Sequence, residues 1–123
     1  MKELLFITLN DLTICGKSLE GRVYLHGTLE PFAEYPDTFV TFFTDNTDDR
    51  AFYNNNVTSI DWTFSVILYS SDPNVIEEGA PQIIAALKAE GFIPQGKGRD
   101  ILSDVSTHTG WVMDFIITEF INN

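Results

Sequence analysis

Apolar positions along this chain change period several times, and each change marks an element. Leu4, Leu5, Leu9 and Leu12 recur near helical spacing, so residues 2 to 14 read as a short amphipathic helix stopped by Gly16. The β-branched Thr8, Thr13 and Ile14 work against it. Arg22-Val23-Tyr24-Leu25-His26, between Gly21 and Gly27, reads as a short strand, and residues 28 to 37, with Pro31 and Pro36, as a loop. Thr38 to Phe43 is a β-branched and aromatic run with apolar side chains on both faces. An Asp/Asn-rich stretch follows and reads as a loop from Thr44 to Ser59. From Ile60 to Tyr69 the pattern alternates, with Trp62, Phe64, Val66 and Leu68 on the face expected to be core.

Ser71-Asp72-Pro73 signals a helix start, a capping residue followed by proline at the first helical position. Ile76, Ala80, Ile83, Ile84 and Leu87 make its apolar stripe, and Gly91 ends it in the left-handed conformation, so that Phe92 folds back on Leu87. Pro81 predicts a kink, or a helix that starts near Gly79. The glycine-rich segment from Phe92 to Val105 reads as one or two strands. Gly110 to Phe120 reads as a long last strand with Trp111, Met113, Phe115 and Ile117 on one face and Val112, Ile116 and Phe120 on the other. The expected fold is therefore a single α+β domain over residues 1–123, with a four- to five-stranded, mostly antiparallel sheet and two helices packed on one face. Two strands with two apolar faces leave one sheet face for something else to cover. Another copy of the chain is the simplest candidate, and loops of the chain itself are the alternative.

Charge narrows the function classes. Eighteen acids against seven bases give a net charge of -11, which argues against binding nucleic acid or an anionic membrane through a basic face. An acidic wall along which DNA slides without sticking is compatible with it. Met1-Lys2-Glu3 with its short apolar run makes a poor signal peptide, and Asn10-Asp11 cuts that run too early for a membrane helix. Asn56-Val57-Thr58 matches a glycosylation triplet that has no use without secretion, and the single Cys15 reads as a small buried hydrophobe.

Catalytic and metal-binding patterns fail on inspection. Gly91 to Lys97 has most of a phosphate-loop spacing, but Gly98 stands where Ser or Thr must hold magnesium, and the segment leaves a helix instead of entering one. Asp45, Thr47 and Asp49 imitate the first ligands of a calcium loop, yet Arg50 takes the glycine position and Asn56 the bidentate glutamate position. Asp104, Ser106 and His108 lie too close in an irregular segment for a triad, whose members come from separate elements. Two histidines and one cysteine make no zinc set. The expectation is a protein without enzymatic activity, catalytic residue, metal or cofactor, one that works by touching other proteins.

Several segments then carry a resemblance. Glu34-Tyr35-Pro36-Asp37-Thr38-Phe39-Val40-Thr41-Phe42, Trp62-Thr63-Phe64-Ser65-Val66, Tyr69-Ser70-Ser71-Asp72-Pro73, Gly91-Phe92-Ile93-Pro94-Gln95-Gly96-Lys97-Gly98 and Thr107-His108-Thr109-Gly110 occur in one order over nearly the whole chain. In these the chain resembles the tail terminator, or tail completion, proteins of long-tailed bacteriophages with non-contractile tails and of related prophages. Residues 15–30 and the end after Phe120 depart from the pattern. The resemblance implies a structural virion protein, assembled in the host cytoplasm into a homo-oligomeric ring, typically a hexamer, at the head–tail junction. Such a ring caps the head-proximal end of the tail tube, ends its polymerisation and docks the head connector (stopper) protein. DNA passes through it on ejection without specific binding, and no membrane is involved. Another head–tail adaptor, a stopper or head-completion protein, is the alternative within this class; a cytosolic ligand-binding domain or small enzyme is the alternative outside it.

Within that expectation the loop from Thr44 to Ser59, long for a hairpin connection, becomes the candidate arm. Asp45, Asp48, Asp49, Arg50, Phe52 and Tyr53 are its candidate protein-interface residues, with Phe52 and Tyr53 as anchors. Asp45, Asp48, Asp49, Glu77 and Glu78 are candidates for lining the channel.

Overall fold

A computed structural model describes residues 1–25, 37–53, 56–101 and 107–120, and for 48–53 and 56–57 the backbone path alone. The chain folds as α+β around one mixed sheet. Helix α1 runs over Lys2–Asn10 and buries Leu5 and Leu9. It ends four residues earlier than the leucine spacing suggested, because Thr13–Ile14 (β1) and Lys17–Ser18 (β2) form a two-stranded antiparallel ribbon. Cys15 and Gly16 turn that ribbon with φ of 49° and 76°, the two positive values a tight hairpin turn requires. The amide and thiol of Cys15 are held by Gln82 of the second helix, through Cys15 N–H to Oε1 at 3.1 Å and Nε2 to Sγ at 3.9 Å.

The main sheet has six strands, one more than the upper expectation. Val23–Leu25 (β3), Thr38–Tyr53 (β4), Asn56–Ser70 (β5), Ile93–Pro94 (β6), Arg99–Ile101 (β7) and Thr109–Phe120 (β8) lie in the order β3-β4-β5-β8-β6, and β7 also pairs with β8. β3 runs parallel to β4 over three residues; the other pairs are antiparallel. Helix α2, Pro73–Ala89, starts where Asp72 accepts from the Asn74 amide and continues unbroken through Pro81. It ends as the glycine signal predicted. Gly91 has φ 98°, and the amides of Gly91 and Phe92 donate to the carbonyls of Lys88 and Leu87 at 3.1 and 3.0 Å. Gly79 lets α2 approach the sheet, since a Cβ there would lie 3.0 Å from Ile14 Cδ1 and 3.5 Å from Leu68 Cδ2.

One sheet face carries Val40, Phe42, Phe64, Val66, Leu68, Met113, Phe115 and Ile117, and with Leu5, Leu9, Ile83, Leu87 and Phe92 of the helical layer these make the core. The opposite face corrects an expectation. Its apolar row Thr41–Ile67–Val112 is buried within the single chain, and Phe39 packs among the rings of Tyr69 at 5.0 Å, His108 at 5.8 Å and Tyr24 at 6.2 Å. The two-faced apolar strands therefore do not by themselves call for a second copy.

The second correction concerns the acidic stretch. Thr44 to Ser59 is not a loop: β4 and β5 continue through it as one long antiparallel hairpin, paired from Thr38↔Ser70 to Tyr53↔Asn56. Thr44, Thr47, Phe52, Tyr53, Val57 and Thr58 supply strand-forming residues on both sides. Register shifts between Thr44 and Asn46, Asp49 and Ala51, and Ala51 and Phe52 absorb the residues that do not fit the ladder. Polar composition alone does not make a loop when β-branched and aromatic residues face each other across the pair.

Candidate functional site

Among the described residues, the last pair between β5 and β8 is Ser59↔Phe120, whereas β4 and β5 pair on to Tyr53↔Asn56. Of the described residues, the far end of the sheet is thus a two-stranded arm above the row Ala51–Ser59–Phe120. Phe120 stands there with 77% of its surface exposed, the most exposed large hydrophobic side chain described. Beneath the arm Trp62 stacks on Phe64, with ring centroids 5.7 Å apart, which stiffens its root.

Of the sequence-derived interface candidates, Asp45 is exposed, at the register shift between Thr44 and Asn46. Asp48, Asp49 and Arg50 lie on β4 below the Ala51–Ser59–Phe120 row and Phe52 and Tyr53 beyond it; the side chains of all five fall outside what is described, as do residues 54–55. Glu77 and Glu78 are exposed on α2, near Gly79, while Asp45 sits opposite the Phe64 region of β5. The channel-lining candidates thus occupy separate elements. The calcium-like spacing Asp45–Thr47–Asp49 runs along an extended strand instead of coiling into a ligand loop. Among the described residues no group of three or more His, Cys, Asp or Glu side chains is placed to hold a metal ion, and no helix is long and apolar enough to cross a membrane. Asp104, Ser106 and residues 26–36, with His26 and Tyr35-Pro36, lie outside the described residues.

Polar clusters elsewhere tie strands together. Ser65 Oγ donates to Asp114 Oδ1 at 2.8 Å, and Arg99 Nη1 donates to Asp114 Oδ2 at 2.9 Å, which joins β5, β8 and β7. Thr118 Oγ1 donates to Asp61 Oδ1 at 2.6 Å. Asp37 accepts from the Ser71 hydroxyl and, at 3.1 Å, from Lys17 Nζ; these two bonds hold its carboxyl below the usual carboxylate range.

Two apolar surfaces were not legible from the sequence. On the β3 side of the sheet, Phe6 and Ile7 of α1, 40% and 56% exposed, border a shallow groove of about 340 Å³ with Lys2, Glu3, Leu25 and Phe42. On the β7–β8 side a second groove of about 440 Å³ opens between α2 and the sheet. Its walls are Pro73, Ile76, Ala80, Pro81 and Trp111, and its rim carries Glu77, Lys97 and Asp100. The turn Gly96-Lys97-Gly98, which the phosphate-loop spacing singled out, is clamped onto this groove: Trp111 Nε1 donates to the Lys97 carbonyl at 2.9 Å. Phe6 and Ile7 fall on the outer side of a helix whose leucines face the core, a distinction that needs the helix orientation.

No family model matches this chain, and none of the curated proteins matches it significantly.

Proposed function

We propose that the chain is a structural virion protein of the tail-terminator type, a ring at the head–tail junction that caps the tail tube, ends its polymerisation and receives the head connector while DNA passes through. The observation that carries this reading is the arm. A long hairpin pairs from Thr38↔Ser70 to Tyr53↔Asn56, with Asp45, Asp48 and Asp49 along β4 and an exposed Phe120 beside its last pairs. A ribbon of this kind gains little from its own contacts and gains most when a neighbouring protein covers the exposed Phe120 beside it. Asp45, Asp48 and Asp49 on β4 keep its edge from pairing indiscriminately with other strands. Net charge of -11 suits a conduit wall that repels phosphate.

The experiment removes the arm. A variant lacking residues 48–55 keeps every described core residue, and so keeps its melting transition. In particle assembly it yields tails of uncontrolled length, or tails that do not join heads, as seen by electron microscopy. Tails of normal length joined to heads would sink the reading.

A further inference from the structure

We propose that neighbouring copies dock edge to edge, with Phe6 and Ile7 of one copy seated in the groove between α2 and Trp111 of the next. The inference rests on the ring reading and names its contact. The two surfaces differ, an exposed apolar pair beside a shallow groove on the β3 side and a deeper apolar groove on the β7–β8 side of the same sheet. Surfaces that differ and lie at opposite sides make a heterologous contact, which repeats from copy to copy and closes into a ring when the rotation permits.

Charge favours a second copy as the occupant. In a chain of net charge -11, like copies repel unless the touching surfaces are locally balanced. Both surfaces are mixed: Lys2 and Glu3 flank the apolar pair, and Lys97, Glu77 and Asp100 rim the groove. None of these five makes an ion pair among the described residues. Docking sets Lys2 against the groove's two acids and Glu3 against Lys97. It also places Glu77 in the contact between copies and removes it from the channel candidates.

The test is disulfide trapping in the full-length chain with Cys15→Ser, one cysteine on each surface. Ile7 and Pro81 are both exposed, so I7C and P81C leave the core untouched, and equal melting temperatures verify it. Mixing the two variants under mild oxidation gives a cross-linked dimer at about tenfold the yield of either alone, because docking raises the local thiol concentration. A chain carrying both cysteines gives a ladder of covalent multimers. Lys2→Glu abolishes the cross-link, and Lys2→Glu with Glu77→Lys restores it. Assembled rings without the cross-link overturn this contact and leave the capping reading intact. A chain that shows no cross-link and stays monomeric at about 1 mM, where even weak contacts populate, also overturns it. The capping reading stands or falls separately, on the tail lengths of the arm deletion.

Discussion

The carboxylate of Asp37 accepts a hydrogen bond from the hydroxyl of Ser71, which joins the residue before β4 to the residue after β5. The same junction holds Ser71 N–H to the Asp37 carbonyl at 3.0 Å and the hydroxyls of Thr38 and Ser70 at 3.0 Å. Ser71 and then Lys17 lower the Asp37 pKa from its ordinary value of 3.8. A carboxyl with a depressed folded-state pKa stabilises fully above its unfolded value and loses that contribution as pH falls through the folded one. Asp37→Asn is therefore less stable than the parent at pH 7, by under about 1 kcal/mol because the pair with Lys17 is half exposed. The gap narrows as pH falls below 3.8. Thermal melts of both proteins at pH 7 and pH 3 check this, and a gap of equal size at both values contradicts it.

Gly98 sits at φ 102° with its Cα against Trp111, where an added Cβ would fall 2.1 Å from Nε1 and 2.7 Å from the Val112 carbonyl oxygen. Gly98→Ala must displace the indole and break its bond to Lys97, and it adopts a backbone conformation closed to alanine. The cost is about 2 kcal/mol or more. Urea unfolding followed by tryptophan fluorescence measures it, and a shift within the error of the midpoint would show that the turn does not depend on glycine.

Ser65 is 4% exposed and gives its hydroxyl proton to Asp114. Asp114→Ala leaves that buried hydroxyl without its acceptor and frees Arg99, for a loss of about 1–3 kcal/mol. Replacing both partners, Ser65→Ala with Asp114→Ala, costs less than the sum of the single changes, because the orphaned hydroxyl is gone. A double-mutant cycle in urea decides between this and simple additivity.

The sequence carried the helices, the capping signals and the alternation of β5 well, because each depends on neighbours a few residues apart. Asp72-Pro73 and Gly91-Phe92 do in three dimensions what their spacing said. It misread the hairpin because Asp48 and Asp49 look like turn residues, while their strand partners Asp61 and Ile60 lie more than ten residues away. It found the acids of β4 and missed Phe120, since nothing local says that its ring, beside the last described β5–β8 pair, stands exposed. The groove beside Trp111 was equally hidden, for it depends on how far α2 stands off the start of β8.

That exposed phenylalanine separates function from stability. Phe115, five residues earlier on β8, is fully buried, and Phe115→Ala costs about 3–5 kcal/mol. Phe120 touches solvent over most of its surface, so Phe120→Ser changes stability by no more than about 0.5 kcal/mol. If a tail-tube or connector subunit covers the arm base, the same change removes the apolar burial of one aromatic side chain from that contact. The loss is about 1.5–3 kcal/mol, or roughly 10- to 100-fold in affinity. Urea midpoints for the parent, Phe115→Ala and Phe120→Ser, set beside tail lengths in assembled particles, test both halves. Phe120→Ser should melt as the parent does and terminate tails poorly. Tails of normal length from it would place the gripping surface elsewhere on the arm.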